Sequence, residues 1–331
     1  MEQSSKTLTF VVPAYNMETY LERCVESLLS ATDNSDIEVL IVDDGSSDST
    51  PELADMYERR WPGNVRAIHQ VNKGHGGAVN TGIANATGMY VKVVDADDWV
   101  DMPSIDEPLD MLVTNYVYDK VGKRVKHTVN FRHAMAANTV LGWDDLGCFG
   151  VAEYILMHAL IYRTQVVRDS GMQLPEHTFY VDFIYAYQPF PWVKSMLYMD
   201  IPFYHYFIGR EGQSVQTDVM IRRVAQLRLV NQRMVEATPE PGTVPDGLYR
   251  YMIHFLAIES SVTSVFLILS KDKANYRLKD ELWADIDKAS PAIGRDVRRK
   301  LVSRALNLRG SVGRWVIRRG YVVAEKVVGF N

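Results

Sequence analysis

Apolar runs of strand length alternate with stretches of helical period along the first third of the chain. Residues 8–12 predict a first strand, stopped by Pro13-Ala14-Tyr15-Asn16. Behind Asn16, a residue suited to capping, Tyr20, Leu21, Cys24, Val25, Leu28 and Leu29 recur at helical spacing. Residues 37–42 predict a second strand that runs directly into Asp43-Asp44-Gly45-Ser46-Ser47-Asp48, after which Ser49 or Thr50 caps a helix carrying Pro51, Leu53, Met56 and Tyr57. Third and fourth strands are predicted over 65–71 and 90–94. Between them, Asn72-Lys73-Gly74-His75-Gly76-Gly77 is small enough to pack closely on a sheet or to bring backbone amides near a ligand. Strands alternating with helices imply an α/β fold with a mostly parallel sheet. The loops after strands one, two and four then open on one edge, where such sheets bind ligands.

Further along, residues 112–118 and 125–131 alternate as strands around Lys120-Val121-Gly122-Lys123, a hairpin pattern. Residues 151–167 read as a helix whose His158 is taken as a satisfied structural histidine, contact with an acceptor being the alternative, and 193–199 and 203–207 read as two strands. From Asp218 the pattern is helical over 219–235, 248–270, 276–288 and 312–328, with a linker at 238–246 marked by Pro239, Pro241 and Pro245. The predicted division is an α/β domain over 1–217 and a helical region over 218–331 with a basic end.

The fourth strand ends in Asp95-Ala96-Asp97-Asp98, three carboxylates in four positions. Such charges raise one another's proton affinity unless something compensates them, and a hard divalent cation does so economically. The alternative is a solvated acidic turn ahead of Trp99. Neither Gly-x-Gly-x-x-Gly after the first strand nor a Gly-Lys-Ser/Thr phosphate loop is present, which excludes the common dinucleotide and triphosphate fingerprints.

Composition adds little to the fold: 47% hydrophobic and 23% charged residues in 331 suit an ordinary globular protein. Cys24 and Cys148 lack zinc or disulfide spacing, and the polar first nine residues lack an apolar signal core, so a cytoplasmic location is expected. The apolar stretch 261–269 is too short to span a bilayer and reads as a buried helix. Charge is more informative. The net −5 conceals a basic end, because from Lys288 to Asn331 eleven basic residues face only Asp296 and Glu325. An anionic partner is expected there, and an interfacial helix over 312–328 on an anionic membrane surface is one reading. A solvated helix and a contact between two copies are the others.

Taken together, Pro13-Ala14-Tyr15-Asn16, Asp43-Asp44-Gly45-Ser46-Ser47-Asp48, Asn72-x-Gly74 with Asn80-x-Gly82, and Asp95-Ala96-Asp97-Asp98 resemble the motifs of family 2 glycosyltransferases, in their order and approximate spacing. The resemblance implies the GT-A fold and an inverting transfer of a sugar from a nucleotide diphosphate sugar, UDP-sugars favoured, to an acceptor hydroxyl. The acceptor class it implies is a saccharide or lipid-linked saccharide in bacterial cell-surface polysaccharide assembly. It further implies no nucleic-acid partner and a place in the cytoplasm, with the inner face of the plasma membrane as the peripheral alternative. It implies that Ala14 and Tyr15, between Pro13 and Asn16, lie against the base, with Asp43 on its N–H and Asp44 beside the ribose. Asp95 is then a ribose or metal-side contact, Ala96 lines the donor, and Asp97 ligates Mg²⁺ or Mn²⁺ on the diphosphate. Lys73, Gly74 and Asn80 complete the donor side. Asp182, within Phe179-Tyr180-Val181-Asp182-Phe183, matches the base, and Arg210, Gln213 and Ser214 match a loop over the diphosphate. Val79 stands where many relatives carry Arg, Val181 where they carry Glu, and the segment after Trp99 is short. A sugar nucleotidyltransferase and a non-catalytic nucleotide-sugar-binding protein are the rival readings.

Overall fold

The computed structural model describes residues 6–30, 34–101, 109–122, 126–209, 213–307 and 310–328. They divide into two compact units, Met1–Gly142 with Ile155–Ile208, and Trp143–Tyr154 with Gly209–Asn331. The second unit thus begins at Gly209 and also takes in twelve residues from inside the predicted first domain.

The first unit opens with β1 (Leu8–Ala14), α1 (Leu21–Leu28), β2 (Ile37–Asp43), α2 (Thr50–Arg60), β3 (Val65–His69), α3 (Gly74–Asn85) and β4 (Tyr90–Val93). These are the alternating elements the pattern predicts, with β3 two residues shorter. β5 (Trp99–Val100), β6 (Met111–Lys120), β7 (His127–Val129), β8 (Val140–Leu141), β9 (Leu160–Arg163), α4 (Thr164–Asp169), α5 (Asp182–Tyr187) and β10 (Met196–Ile208) complete it. The sheet order is β3-β2-β1-β4-β9-β6-β10-β5; β1 to β4 pair in parallel, and β9 is antiparallel to both neighbours. The predicted hairpin forms as the antiparallel pair β6 and β7. Because β1, β2 and β4 run in parallel, Ala14, Asp43 and the residues after Val93 all reach the same edge.

Three predicted elements are corrected. Residues 151–167 are not one helix: a turn at Met157–Ala159 leads into β9 and then α4. The run from Ile155 to Tyr162 is buried on nearly every side, so its periodicity cannot separate a strand from a buried helix. The strands over 193–199 and 203–207 are one strand, β10. Its register against β6 slips at Pro202, which has no N–H to give the ladder. Asn16 does not cap α1. Its backbone is left-handed (φ 54°), and its side-chain oxygen accepts from Ser47 N at 2.8 Å.

Glycine decides one contact: a Cβ on Gly82 would stand 2.1 Å from Val11 Cγ1, so α3 seats on β1 only with hydrogen there.

The second unit holds α6 (Thr217–Arg222), α7 (Val224–Ala237), α8 (Asp246–Leu269), α9 (Lys273–Ala289), α10 (Pro291–Arg299), α11 (Leu301–Leu306) and α12 (Gly310–Val328). The predicted helix over 219–235 breaks at Arg223 into α6 and α7. By length and composition α8 is apolar enough to cross a membrane, but 78% of its most apolar window is buried within the protein. It is a core helix, with α7, α9, α10, α11 and α12 packed around it.

Candidate active site

Loops from β1, β2 and β4 converge at one edge of the sheet and are stitched together. Asn16 N donates to Ser46 Oγ at 2.9 Å, Met17 N to Thr50 Oγ1 at 2.8 Å, and Ser49 N to Glu18 Oε2 at 3.0 Å. Pro13 and Ala14 are buried in β1, whereas Tyr15 is 49% exposed and offers its ring at the mouth. Asp43 is buried at the end of β2, accepting from Ser46 N at 3.0 Å and meeting His69 Nδ1 at 3.0 Å. Asp44 Oδ1 accepts from Gln70 Nε2 at 2.7 Å and from the backbone N of Lys73 at 2.8 Å. That bond ties the β2 loop to the start of α3 and leaves the Lys73 side chain exposed.

The start of α3 carries the next part of the site. Gly74 has φ +75°, and a Cβ there would stand 2.7 Å from His177 N, so the segment before α5 lies directly on it. His177 N donates to Lys73 O at 2.9 Å. Asn80 clamps the same segment, with Nδ2 donating to Leu174 O at 2.9 Å and Oδ1 accepting from Leu174 N at 3.0 Å. This corrects the expectation for Asn80: both ends of its amide are engaged by backbone, so it positions a loop rather than a donor. Val79 is fully buried in the core.

The loop held this way carries Asp182 at the first position of α5, five and two positions after the left-handed non-glycine residues His177 (φ 50°) and Tyr180 (φ 66°). Strained backbone of this kind persists only where its surroundings enforce it. Burial pushes the Asp182 carboxyl up to about 6, with the nearby Asp95 charge in the same direction and His75 opposing. Asp182 and Asp95, 87 positions apart in the chain, therefore share one electrostatic environment.

Asp95 and His75 are joined at 2.8 Å between Oδ1 and Nε2. Burial disfavours the imidazolium, but the carboxylates of Asp95, Asp182 and Asp44 outweigh it, and His75 is held above its ordinary value. The acidic motif then splits. A turn bond from Asp98 N to Asp95 O at 2.9 Å reverses the chain, sending Asp98 into the interior while Asp95 keeps partial exposure. Asp98 is fully buried and accepts from Tyr204 Oη at 2.5 Å and Phe207 N at 2.7 Å. Ala96 and Asp97 are also buried, and the Asp97 carbonyl accepts from Arg23 at 2.5 Å.

Beneath these acids lies Lys92, wholly buried on β4, donating to the carbonyls of Met157 at 2.8 Å and His158 at 2.7 Å. Burial lowers its proton affinity strongly, and Asp95 and Asp98 oppose that. His158 stacks on Tyr206 with ring centroids 4.2 Å apart, and its Nδ1 has no hydrogen-bond partner among the described residues. Burial, chiefly, depresses it to about 3, so the imidazole is neutral. Asp95, Asp98 and His158 each offer a ligand atom, all within 4.8 Å of one another. A neutral imidazole nitrogen without a partner, beside two carboxylates that repel, is a donor set that fits a divalent cation. The expectation that His158 is a satisfied structural histidine is thereby corrected. Of the expected ligand pair, Asp95 belongs to this group, and Asp97 lies buried one residue before Asp98.

Sequence reasoning missed His75, Lys92, Asp98 as a candidate ligand and Tyr204. A signal existed for Lys92, a single cation inside the apolar run Tyr90-Val91-Lys92-Val93-Val94. Arg210 lies outside the described residues. Gln213 and Ser214 belong to the second unit, where Gln213 Oε1 accepts from Gly209 N at 2.7 Å.

Residues 9–164, which hold the motifs from Pro13 to Asp98 but neither Asp182 nor the loop with Arg210, Gln213 and Ser214, match the family model for glycosyl transferase family 2. The putative glycosyltransferase EpsH of Bacillus subtilis is 27% identical over 227 residues, covering 61% of this chain and 60% of EpsH. The chain thus spans less than two thirds of that relative's own length. Among solved structures, S. aureus TarS 1-349 superposes with a TM-score of 0.65 at 17% identity, covering 95% of this chain and 92% of TarS. TarS has also been solved in complex with UDP-GlcNAc. The Pyrobaculum calidifontis mannosyltransferase PcManGT, in complex with GDP-Man and Mn²⁺, superposes at 0.54 with 15% identity over 98% of this chain and 87% of its own. At these identities the two superpositions speak to the fold, which is the GT-A arrangement of sheet and helices. Over residues 9–164, just under half of its length, the chain is thus similar to glycosyl transferase family 2.

Proposed function

We propose that this protein is an inverting, metal-dependent glycosyltransferase that moves a sugar from a nucleotide diphosphate sugar to an acceptor hydroxyl. The observation that carries the reading is the meeting of Asp182, its carboxyl pushed up to about 6, with Asp95 and His75 at the edge where Tyr15, Asp43 and Asp44 emerge. A carboxyl close to neutrality can take a proton and still be ionised at working pH. Asp182 accepts the acceptor's hydroxyl proton as that oxygen attacks the anomeric carbon, and a single displacement of this kind inverts the centre.

On the donor side, Tyr15 offers a ring face for the base, and Asp43 and Asp44 are braced by their own hydrogen bonds where base and ribose would lie. Asp95, Asp98 and His158 would hold Mg²⁺ or Mn²⁺, with buried Asp97 beside them. When bound, that ion supplies positive charge to offset the charge growing on the departing diphosphate. Support for a UDP-sugar donor comes from the TarS complex with UDP-GlcNAc, and support for a divalent metal from the PcManGT complex with Mn²⁺. The acceptor proposed is a saccharide hydroxyl.

The test is thermal melting with a panel of nucleotide sugars, with and without Mn²⁺. A ligand present at a hundred times its dissociation constant stabilises the native state by about 2.7 kcal/mol, which moves the transition clearly. The expected result is a shift with a UDP-sugar that requires Mn²⁺ and is lost in Asp95→Ala. No shift with any nucleotide sugar, or an equal shift in Asp95→Ala, would overturn the reading.

A further inference from the structure

The basic end forms a helix with two unlike faces. The inner face of α12 is built into the second unit. Gly313 and Ile317 are buried, Arg314 lies 4.8 Å over the ring of Tyr276, and Arg318 donates to Ile268 O and to the Tyr276 hydroxyl. The Tyr321 hydroxyl bonds Thr217 Oγ1 at 2.8 Å, and its ring meets Phe266. The opposite face is bare. Val312, Trp315, Val316 and Val322 are 72, 59, 42 and 42% exposed. At 100° per residue these four, with Arg319, fall within an arc of about 120°. The Arg319 guanidinium stands 5.8 Å over the Trp315 ring, and Leu301 on α11 adds another exposed apolar side chain at 67%.

We infer that this face of α12 docks on an anionic lipid surface. Charge decides between occupants. From Val297 to Ala324 the chain has no Asp or Glu, against Arg298, Arg299, Lys300, Arg304, Arg309, Arg314, Arg318 and Arg319. Two copies meeting through the same face would set Arg319 and Arg304, both exposed, against their counterparts with no acid nearby to pair them. An anionic leaflet compensates Arg304 and Arg319, whereas Arg298 and Arg299 already have Asp287 and Asp296 as partners. The side chains suit a boundary rather than a core: an amphipathic indole and short valines reach the acyl edge, and flanking arginines extend their heads to phosphates. The helix lies in the surface and does not cross it, because its inner face is already occupied by protein.

The experiment uses the full chain with sucrose-loaded vesicles of phosphatidylcholine alone, or with about a third phosphatidylglycerol. Wild type is expected to sediment with the anionic vesicles only and to be released by salt, as surface electrostatics requires. The double variant W315S/V316S, altered only at exposed positions, is expected to partition about tenfold more weakly, and R304E/R319E at least as weakly. Brominated lipid is expected to quench a component of tryptophan emission that W315F lacks. Equal sedimentation with neutral and anionic vesicles, or unchanged partition in both double variants, overturns the inference. So does self-association in sedimentation velocity that W315S/V316S abolishes while wild type ignores vesicles, since the stripe is then a contact between copies.

Discussion

In the proposed reaction Asp182 takes the acceptor's proton, and its environment sets a measurable number. Burial and the Asp95 charge place its carboxyl near 6, about two units above an ordinary aspartate. If it acts as base in its ionised form, kcat/KM falls on the acid side with a slope of one and reaches about a tenth of its plateau at pH 5. His75 sharpens the test. Its partial positive charge lowers the Asp182 value, so His75→Ala should move the acid limb to higher pH. Asp182→Asn should lose the limb altogether and slow transfer by roughly 10²–10⁴, the usual range for a positioned base, with donor affinity unchanged. Release of nucleoside diphosphate in the presence of acceptor, followed from pH 4.5 to 9, measures all three. An Asp182→Asn enzyme with wild-type turnover would refute the assignment. So would a limb that stays put or moves down in His75→Ala.

Three other outcomes follow from packing and charge. Gly82→Ala would push a methyl to 2.1 Å from Val11 Cγ1 and 2.8 Å from Val11 Cγ2, at a cost of about 1–3 kcal/mol read as a lower urea midpoint. An unchanged midpoint would mean that α3 is not seated on β1 as described. Asn80→Ala removes both bonds to Leu174 and loosens the loop bearing Asp182, so kcat should drop about tenfold while donor KM holds; a change confined to KM contradicts the clamp. Glu259 is fully buried in α8 and its carboxyl is pushed up to about 7, mainly by burial, although Thr263 and Asn231 donate to it. The folded state thus holds its proton more tightly than the unfolded chain, and stability declines as pH rises from about 4.5 to 7. Glu259→Gln should therefore raise the melting temperature at pH 8, by an amount reflecting roughly 3 kcal/mol, and leave it unchanged at pH 4. A gain equal at both pH values would point to packing instead.

Much of the first half of the chain could be read from its pattern because each element there is punctuated. β1, β2 and β4 are short apolar runs that end within two residues of Pro13, Asp43 and Asp95, and of the helices between them α2 follows Ser49 and α3 opens on Gly74. The acidic edge was legible for the same reason, since a buried parallel strand that ends in carboxylates has few innocent explanations. Past residue 100 the legibility fails where burial is two-sided. Residues 155–162 are apolar all round and supply a strand inserted between β4 and β6, a placement no local period encodes. The site followed that failure: with 151–167 taken as a helix, nothing brought His158 beneath Asp95. Lys92 and Tyr204 escaped because their roles exist only through partners 65 to 106 positions away.

The acidic motif shows how far spacing alone can go. Asp95, Asp97 and Asp98 are equivalent on paper, and alternation along an extended strand would put Asp95 and Asp97 on one face. The strand does not continue. It ends at Val93, and the turn closed by Asp98 N on Asp95 O brings the first and fourth residues of the motif together, with Tyr204 and Phe207 of β10 holding Asp98 from the other side. Two carboxylates confined this way raise the proton affinity of the buried one, and Asp98 is held well above the ordinary range by burial first and by Asp95 second. A divalent cation reverses that, favouring the ionised form of both. Adding Mn²⁺ should therefore release protons from the protein, detectable by a pH-indicator dye in weak buffer. Asp98→Asn should abolish the release. Proton release unchanged in that variant would place the titrating group elsewhere and return the metal to Asp97.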